Sequence, residues 1–238
     1  MARIFFITAG DITGKIITLK GNEAAHLRNV LRLKPGDKIT CKTCDRKAYT
    51  CRLLSVAQAK VTAEIIRKTS LEIKKKVKTG LLLSIPRTKV MNSLIPKCTE
   101  LGLDFIIPLI TERSFLKKTT KFNSERYQRL VREAMKQCGR NCPLHIHPPV
   151  KLTQLYSERK KFKKKYQHYQ KLFPWENASR RITQGVPADT LLLIGPEGGI
   201  THYEADQIKE LGFTPLKLTE HILKVETAVL YTLIKYGL

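Results

Sequence analysis

Acidic residues are scarce in this 238-residue chain: 20 Asp and Glu stand against 44 Lys and Arg, for a net charge of +24. That imbalance points to a polyanionic partner, nucleic acid ahead of an anionic membrane surface, with counterions released on binding. Long apolar runs are absent. No stretch approaches the roughly 18–20 residues that span a bilayer. The opening MARIFFITAG holds one short apolar run before Asp11 and Lys15, too little for a signal sequence. The expectation is a soluble, cytoplasmic protein with no membrane partner. The apolar share of 42% excludes a long disordered basic tail. Six cysteines do not make a secretory framework. Cys41 and Cys44, or Cys138 and Cys142 ahead of His145 and His147, have spacings that zinc could use. But the first pair lies in an alternating strand pattern and Cys138 on a helix face, as buried free thiols do. No metal is expected.

The first 70 or so residues read mainly as strands. RIFFI, KIITL, KITCKT, AYTCRLLSV and KVTAEIIR are β-prone runs. One amphipathic helix from about Asn22 to Leu33 sits among them, with Leu27, Val30 and Leu31 on its apolar side. Pro35-Gly36 stops it. This predicts a small β-barrel-like domain over residues 1–73. Its helix turns His26, Arg28 and Arg32 outward, and these three with Arg3 are candidate RNA contacts.

Beyond Lys74-Lys75-Lys76 the pattern changes. LLLSI, DFIIPLI and TLLLI are continuous apolar runs, as in parallel strands buried on both faces. Helical stretches alternate with them, so residues 74–238 are expected to be α/β. Pro96 at the third position of a short helix, Ser93 to Leu101, would lose no helical hydrogen bond. A second helix, capped by Asn123 or Ser124, would bury Tyr127, Leu130, Val131, Ala134 and Cys138. Residues 151–181 hold ten Lys or Arg and two Glu. There Phe162, Tyr166 and Tyr169 have helical spacing and are expected to face the core, although lysines interleaved with aromatics can also grip nucleic acid.

The sharpest chemical feature is TLLLIGPEGGITHYE. A buried strand ends in three glycines within five residues and then opens a helix, which lets backbone approach a ligand closely. Ligands of open α/β sheets bind at the carboxyl ends of strands. The turn is neither a P-loop nor the G-x-G-x-x-G fingerprint.

With HLRNVLRLKPGD, KCTELGLDFIIPLITERS, REAMKQCGR and GFTPLKLTEHILKVETA, in that order along nearly the whole chain, this block resembles the SPOUT-class enzymes of the RsmE type. These methylate N3 of a uridine in 16S ribosomal RNA. The resemblance implies a PUA-like β-barrel followed by a SPOUT domain with a parallel sheet and a deep C-terminal trefoil knot. It implies S-adenosylmethionine as cofactor, the small ribosomal subunit as partner, and a homodimer. It assigns the cofactor to Glu176, to Ile194, Gly195, Pro196, Glu197, Gly198 and Gly199, and to Leu218, Ile222, Leu223 and Thr227. Arg113, Arg140 and Lys224 become candidates for favouring the uracil imide anion, with Glu197 and His221 as candidate proton acceptors. The chain departs from the pattern at Thr219, where Gly is usual, and at His221 and Lys224, where Arg is usual. Lys224 keeps the charge without the planar fork, and His221 keeps it conditionally. Lys136 stands where an acid is more usual. The alternatives are a ribose 2′-O-methyltransferase of the same class, or an RNA-binding assembly factor that has lost catalysis.

Overall fold

The computed structural model describes residues 4–43, 47–70, 77–115, 122–140, 142–179, 181 and 188–236. The chain divides into two compact units, residues 1–74 with 135–142, and residues 75–134 with 143–238. Arg3, Cys44, the lysine run at 74–76 and the expected boundary at residue 73 lie outside the described residues.

In the first unit the strands are β1 (Ile4–Phe6), β2 (Ile12–Thr13), β3 (Ile16–Lys20), β4 (Lys38–Lys42), β5 (Lys47–Val56) and β6 (Lys60–Ser70). They form one sheet in the order β1-β4-β5-β6-β3-β2. All neighbours are antiparallel except β1 and β4. Period-two burial fills the core with Phe5, Ile17, Leu19, Ile39, Cys41, Cys51, Leu53, Val61 and Ala63. Cys41 is thus a core residue, packed against Cys51.

The helix expected from Asn22 to Leu33 is shorter and of two kinds. α1 (Gly21–Ala25) runs into a π-helical turn, His26–Val30, and Arg32 follows with a left-handed φ of 50°. A wider turn rotates side chains off the 3.6-residue stripe. Leu27 is therefore fully buried while Val30 is 66% exposed, Leu31 is also turned outward, and Leu33 takes the core position instead. The end of α3 (Ser124–Cys138) and the turn after it belong to this unit. Lys136 pairs with Glu23 at 3.0 Å, and Lys42 donates to the Gly139 carbonyl. The base at position 136 thus has an acid to answer it.

The second unit contains β7 (Thr79–Ser84), α2 (Thr88–Glu100), β8 (Phe105–Ile110), β9 (His145–Ile146), β10 (Val150–Lys151), α4 (Leu152–Ser157), α5 (Arg159–Lys165), β11 (Gln170–Pro174), β12 (Thr190–Ile194), α6 (His202–Glu210), β13 (Thr214–Leu216) and α7 (Val225–Tyr236). Its sheet runs β10-β8-β7-β12-β11-β13, with β9 also on β8, and every pairing is parallel. Every residue of β7 and β12 is buried, as their unbroken apolar runs required. Among the described residues no helix is long and apolar enough to cross a membrane.

Two helices differ from expectation. α2 begins at Thr88, not Ser93, so Pro96 is internal. A helix-interior proline costs about 3 kcal/mol, but α2 buries Met91, Leu94, Ile95 and Cys98, each worth about 1.5–3 kcal/mol. Packing therefore outweighs propensity. In α3, Tyr127, Val131 and Ala134 are buried and the Asn123 side chain accepts from the Arg126 amide as the N-cap, but Cys138 is exposed. In α5 and the turn after it, Phe162 and Tyr166 are core residues, with Tyr169 packed against them. Pro96→Ala returns an amide donor to the helix interior, and urea denaturation should show the variant more stable by about 1–2 kcal/mol.

Candidate active site

The strand order reverses between β7 and β12. β8 lies on the far side of β7, and β11 on the far side of β12. The connections leaving these strands therefore part in opposite directions, and a crevice opens beyond their carboxyl ends. A cleft of about 810 Å³ occupies that place, large enough for a nucleoside-sized ligand with room for a second group. After β7 come Arg87, Lys89, Val90 and Ser93. After β11 come Trp175 and Glu176, and after β12 comes Gly195–Ile200. The chain ahead of α7 adds Ile222, Leu223, Lys224, Val225 and Glu226. A smaller hollow of about 350 Å³ shares Trp175, Glu176, Ile222 and Leu223 and continues to Leu218, Thr219 and His221.

The turn after β12 depends on its glycines. Gly199 has φ of +75° and closes the turn by donating to the Pro196 carbonyl. A Cβ on Gly198 would stand 3.1 Å from the Cβ of Arg113, a tight contact that would push the loop after β8 back by a few tenths of an ångström. Arg113 then donates to the Gly198 carbonyl at 3.0 Å.

One buried carboxylate holds this arrangement. Glu204, 6% exposed, completes a capping box with Thr201 at the start of α6: its Oε2 accepts from the Thr201 amide at 3.2 Å. Its Oε1 accepts from the Glu112 amide at 2.8 Å. A single side chain thus ties the residue before Arg113 to the residue two after Gly199. The same loop is anchored again where Ser84 and Thr111 share a 2.6 Å hydroxyl contact and the Phe115 amide donates to the Ile85 carbonyl.

On the other wall, Thr219 donates to the His221 carbonyl at 2.6 Å. A hydroxyl therefore braces the segment in which glycine is usual. Lys217 and Arg181 both pair with Glu220. The Lys217 hydrogen bond, and then the Arg181 charge, hold the Glu220 carboxyl below its ordinary range.

Of the residues singled out for the cofactor, Glu176, Ile194, Gly195, Pro196, Glu197, Gly198, Gly199, Ile222 and Leu223 line the larger cleft, and Leu218 lines the hollow beside it. Thr227 lines neither and points outward from the first turn of α7. Lys224 and Glu197 border the cleft, His221 borders the hollow, and Arg113 stands behind the glycine turn. Arg140 belongs to the first unit, as do His26, Arg28 and Arg32. There His26 meets the Phe5 ring edge-on, and Arg28 donates to the Gln58 carbonyl at 2.8 Å.

Sequence reasoning missed Arg87, Lys89 and Ser93, because the helix that carries them was expected to start later. It also missed Glu204, although T-x-x-E after the glycines is a capping-box signature. No local pattern marks Trp175, the chain's single tryptophan, as a cleft residue.

A family profile described as an RNA methyltransferase domain matches residues 73–236, and one described as an RNA methyltransferase PUA domain matches residues 19–73. The chain belongs to this RNA methyltransferase family. Ribosomal RNA small subunit methyltransferase E of Bacillus subtilis is 31% identical over 223 residues, covering 91% of this chain and 87% of its own. Its counterpart in Aquifex aeolicus is 29% identical over 217 residues and 91% of each chain. Among solved structures, the Neisseria gonorrhoeae enzyme of that name, bound to S-adenosyl methionine, superposes with a TM-score of 0.83 at 28% identity, covering 98% of this chain and 96% of that one. A putative methyltransferase of Legionella pneumophila, also with bound S-adenosyl methionine, gives 0.81 at 27% identity and the same coverage.

The cleft suits the family's cofactor. Trp175 is 8% exposed and lines both hollows, yet its indole Nε1–H has no partner among the described residues. A buried donor left unpaired costs about 1–3 kcal/mol, which a ligand acceptor would recover. Ile222 is 86% exposed at the rim, apolar surface that an adenine ring would cover. Glu176 and Glu197 can answer ribose hydroxyls or an ammonium group.

Two outcomes follow. S-adenosylmethionine should change the emission excited selectively in the indole band, which reports Trp175, the single tryptophan. Calorimetry should show Trp175→Phe binding the cofactor about tenfold more weakly. Glu204→Ala should cost about 2–3 kcal/mol in urea denaturation, from the lost cap and the stranded Glu112 amide.

Proposed function

We propose that this protein transfers a methyl group from S-adenosylmethionine to N3 of a uridine in 16S ribosomal RNA. One observation carries the reading. The glycine turn at 195–199 and the segment ending at Glu226 border a single cleft at the switch point of a parallel sheet, in a chain of the RNA methyltransferase family. The reading includes the finer features of that family: a trefoil knot at the carboxyl-terminal end, a homodimer, a cytoplasmic location, and a division of labour between residues 1–73 on RNA and residues 74–238 on chemistry.

Bound S-adenosylmethionine supplies a sulfonium methyl, already an activated electrophile. The chain's own work is positioning and charge. Glu176, Ile194–Gly199, Leu218, Ile222 and Leu223 hold the cofactor, and Trp175 offers it a buried donor. Lys224 at the cleft wall, with Arg113 behind the glycine turn, raises the local positive potential. A uracil placed there loses its N3 proton more readily, as any acid does beside a cation. Arg140 is assigned the same role. Glu197 and His221 are the candidate acceptors of that proton. In residues 1–73, Arg3, His26, Arg28 and Arg32 are the proposed RNA contacts.

The deciding experiment maps methylated uridines by mass spectrometry in ribosomal RNA from cells with and without the protein. Loss of one N3-methyluridine supports the reading. Loss of a ribose methylation would move the target to a 2′-hydroxyl, and no change would leave an RNA-binding assembly factor. Lys224→Met should bind the cofactor within about threefold of the parent while turnover falls about a hundredfold. Full turnover would remove Lys224 from the mechanism.

A further inference from the structure

We propose that the lysine-bearing face of α5 is a separate RNA-docking surface that grips phosphates and reads no bases. The proposal rests on the reading of this protein as an RNA enzyme and adds a contact outside its cleft.

α5 has the sequence RKKFKKK and commits its one aromatic inward. Phe162 is 6% exposed, and the ring of Tyr166 just beyond it sits 4.9 Å away in the same core. Tyr169 closes the cluster at 5.4 Å from Tyr166. Phe162 and Tyr166 are thus withdrawn from base stacking and Tyr169 is half-buried, so the base-stacking mode of grip is largely given up.

Lys160 and Lys164 fall on the side away from Phe162, Lys161 and Lys163 flank it, and the Lys165 ammonium sits 5.1 Å over the Tyr166 ring. Lys160, Lys161, Lys163, Lys164 and Lys165 are all exposed. Glu158 answers Lys161 at 3.5 Å, and Glu210 is held by Arg159 and by the Tyr156 hydroxyl. Among the described residues, Lys160, Lys163, Lys164 and Lys165 make no ion pair. Asp104 and Asp189, at this end of the sheet, accept from the backbone amides of Thr79 and Lys78.

The resulting field is felt by its neighbours. After the effect of burial, Lys163 lowers the pKa of Lys171 on β11, and Lys165 adds to the lowering at His147 beside β9. The fold keeps these charges together against their own repulsion. A polyanion would relieve it, and phosphate contact needs only exposed ammonium groups.

The place of α5 separates this surface from the chemistry. The chain turns from α5 into β11 at Gln170, and β11 then runs its length before reaching Trp175 in the cleft. Five strand residues span about 16 Å. Contacts here should therefore set affinity and not turnover.

The test changes Lys160, Lys163, Lys164 and Lys165 together to Gln, with the four-Arg variant as control. RNA affinity of the full chain is titrated against salt, using ribosomal RNA fragments and a scrambled RNA of equal length. The expected result is a log–log salt slope shallower by about three units in the Gln variant, equal losses on both RNAs, and a parental slope in the Arg variant. Cofactor affinity and turnover at saturating RNA stay unchanged. A parental slope in the Gln variant overturns the proposal, as does a loss confined to the native sequence, or a loss on anionic phosphatidylserine vesicles without one on RNA. Failure of the RNA-enzyme reading would look different: the parent chain itself would neither hold nor methylate RNA.

Discussion

The structure depends on one constraint: the central strands of the second unit are apolar on both sides and must be covered on both. Such strands pair in parallel, and parallel strands need crossovers that return the chain to the same starting edge. Every segment that leaves a strand therefore emerges at one end of the sheet. Arg87, Arg113, Trp175, the glycine turn and Lys224 are far apart in the chain and share that end because β7, β8, β11, β12 and β13 all point the same way. The reversal of order between β7 and β12 then opens the space into which most of these segments project.

Within that frame, precision comes from a few buried polar groups. Glu204 spans the loop after β8 and the start of α6, so the two segments are held in one arrangement. Removing either amide from its carboxylate would leave a buried charge short of partners, which is costly in a poorly solvated site. The close approach of Gly198 to Arg113 works in the same direction by sterics. The side chain of Thr219 substitutes a hydroxyl brace for the missing flexibility of glycine. The departures from the usual residues in this segment therefore fall on the lining itself, Lys224 in the cleft and Thr219 and His221 in the hollow beside it.

The scarce acids have a defined use. Asp104 and Asp189 hold backbone amides at the amino ends of strands, Glu204 holds loops, and Glu23, Glu210 and Glu220 pair with bases in place. Few remain to balance the surface lysines. Composition sets the large positive charge, 44 bases against 20 acids, and the places of the acids decide where on the surface it is left unbalanced.

The sequence by itself determined most strands of the first unit and β7, β8 and β12 of the second, and with them the parallel sheet, because apolar runs and alternation are local signals. The family followed from the resemblance of five blocks along the chain, while β9, β10, β11 and β13 carried no such run. It determined that Phe162 and Tyr166 are core, because their spacing matches one helix face. Only the tertiary structure decided the rest. The π-helical turn at His26–Val30 moved Val30 and Leu31 outward, a change of helical pitch that no residue preference announces. Packing carried α2 through Pro96 and so brought Arg87, Lys89 and Ser93 to the cleft. The donor on Trp175 and the clamp at Glu204 acquire meaning from partners distant in the chain. Periodicity reports which face a residue takes, whereas a site is a meeting of loops, and that meeting is set by sheet order.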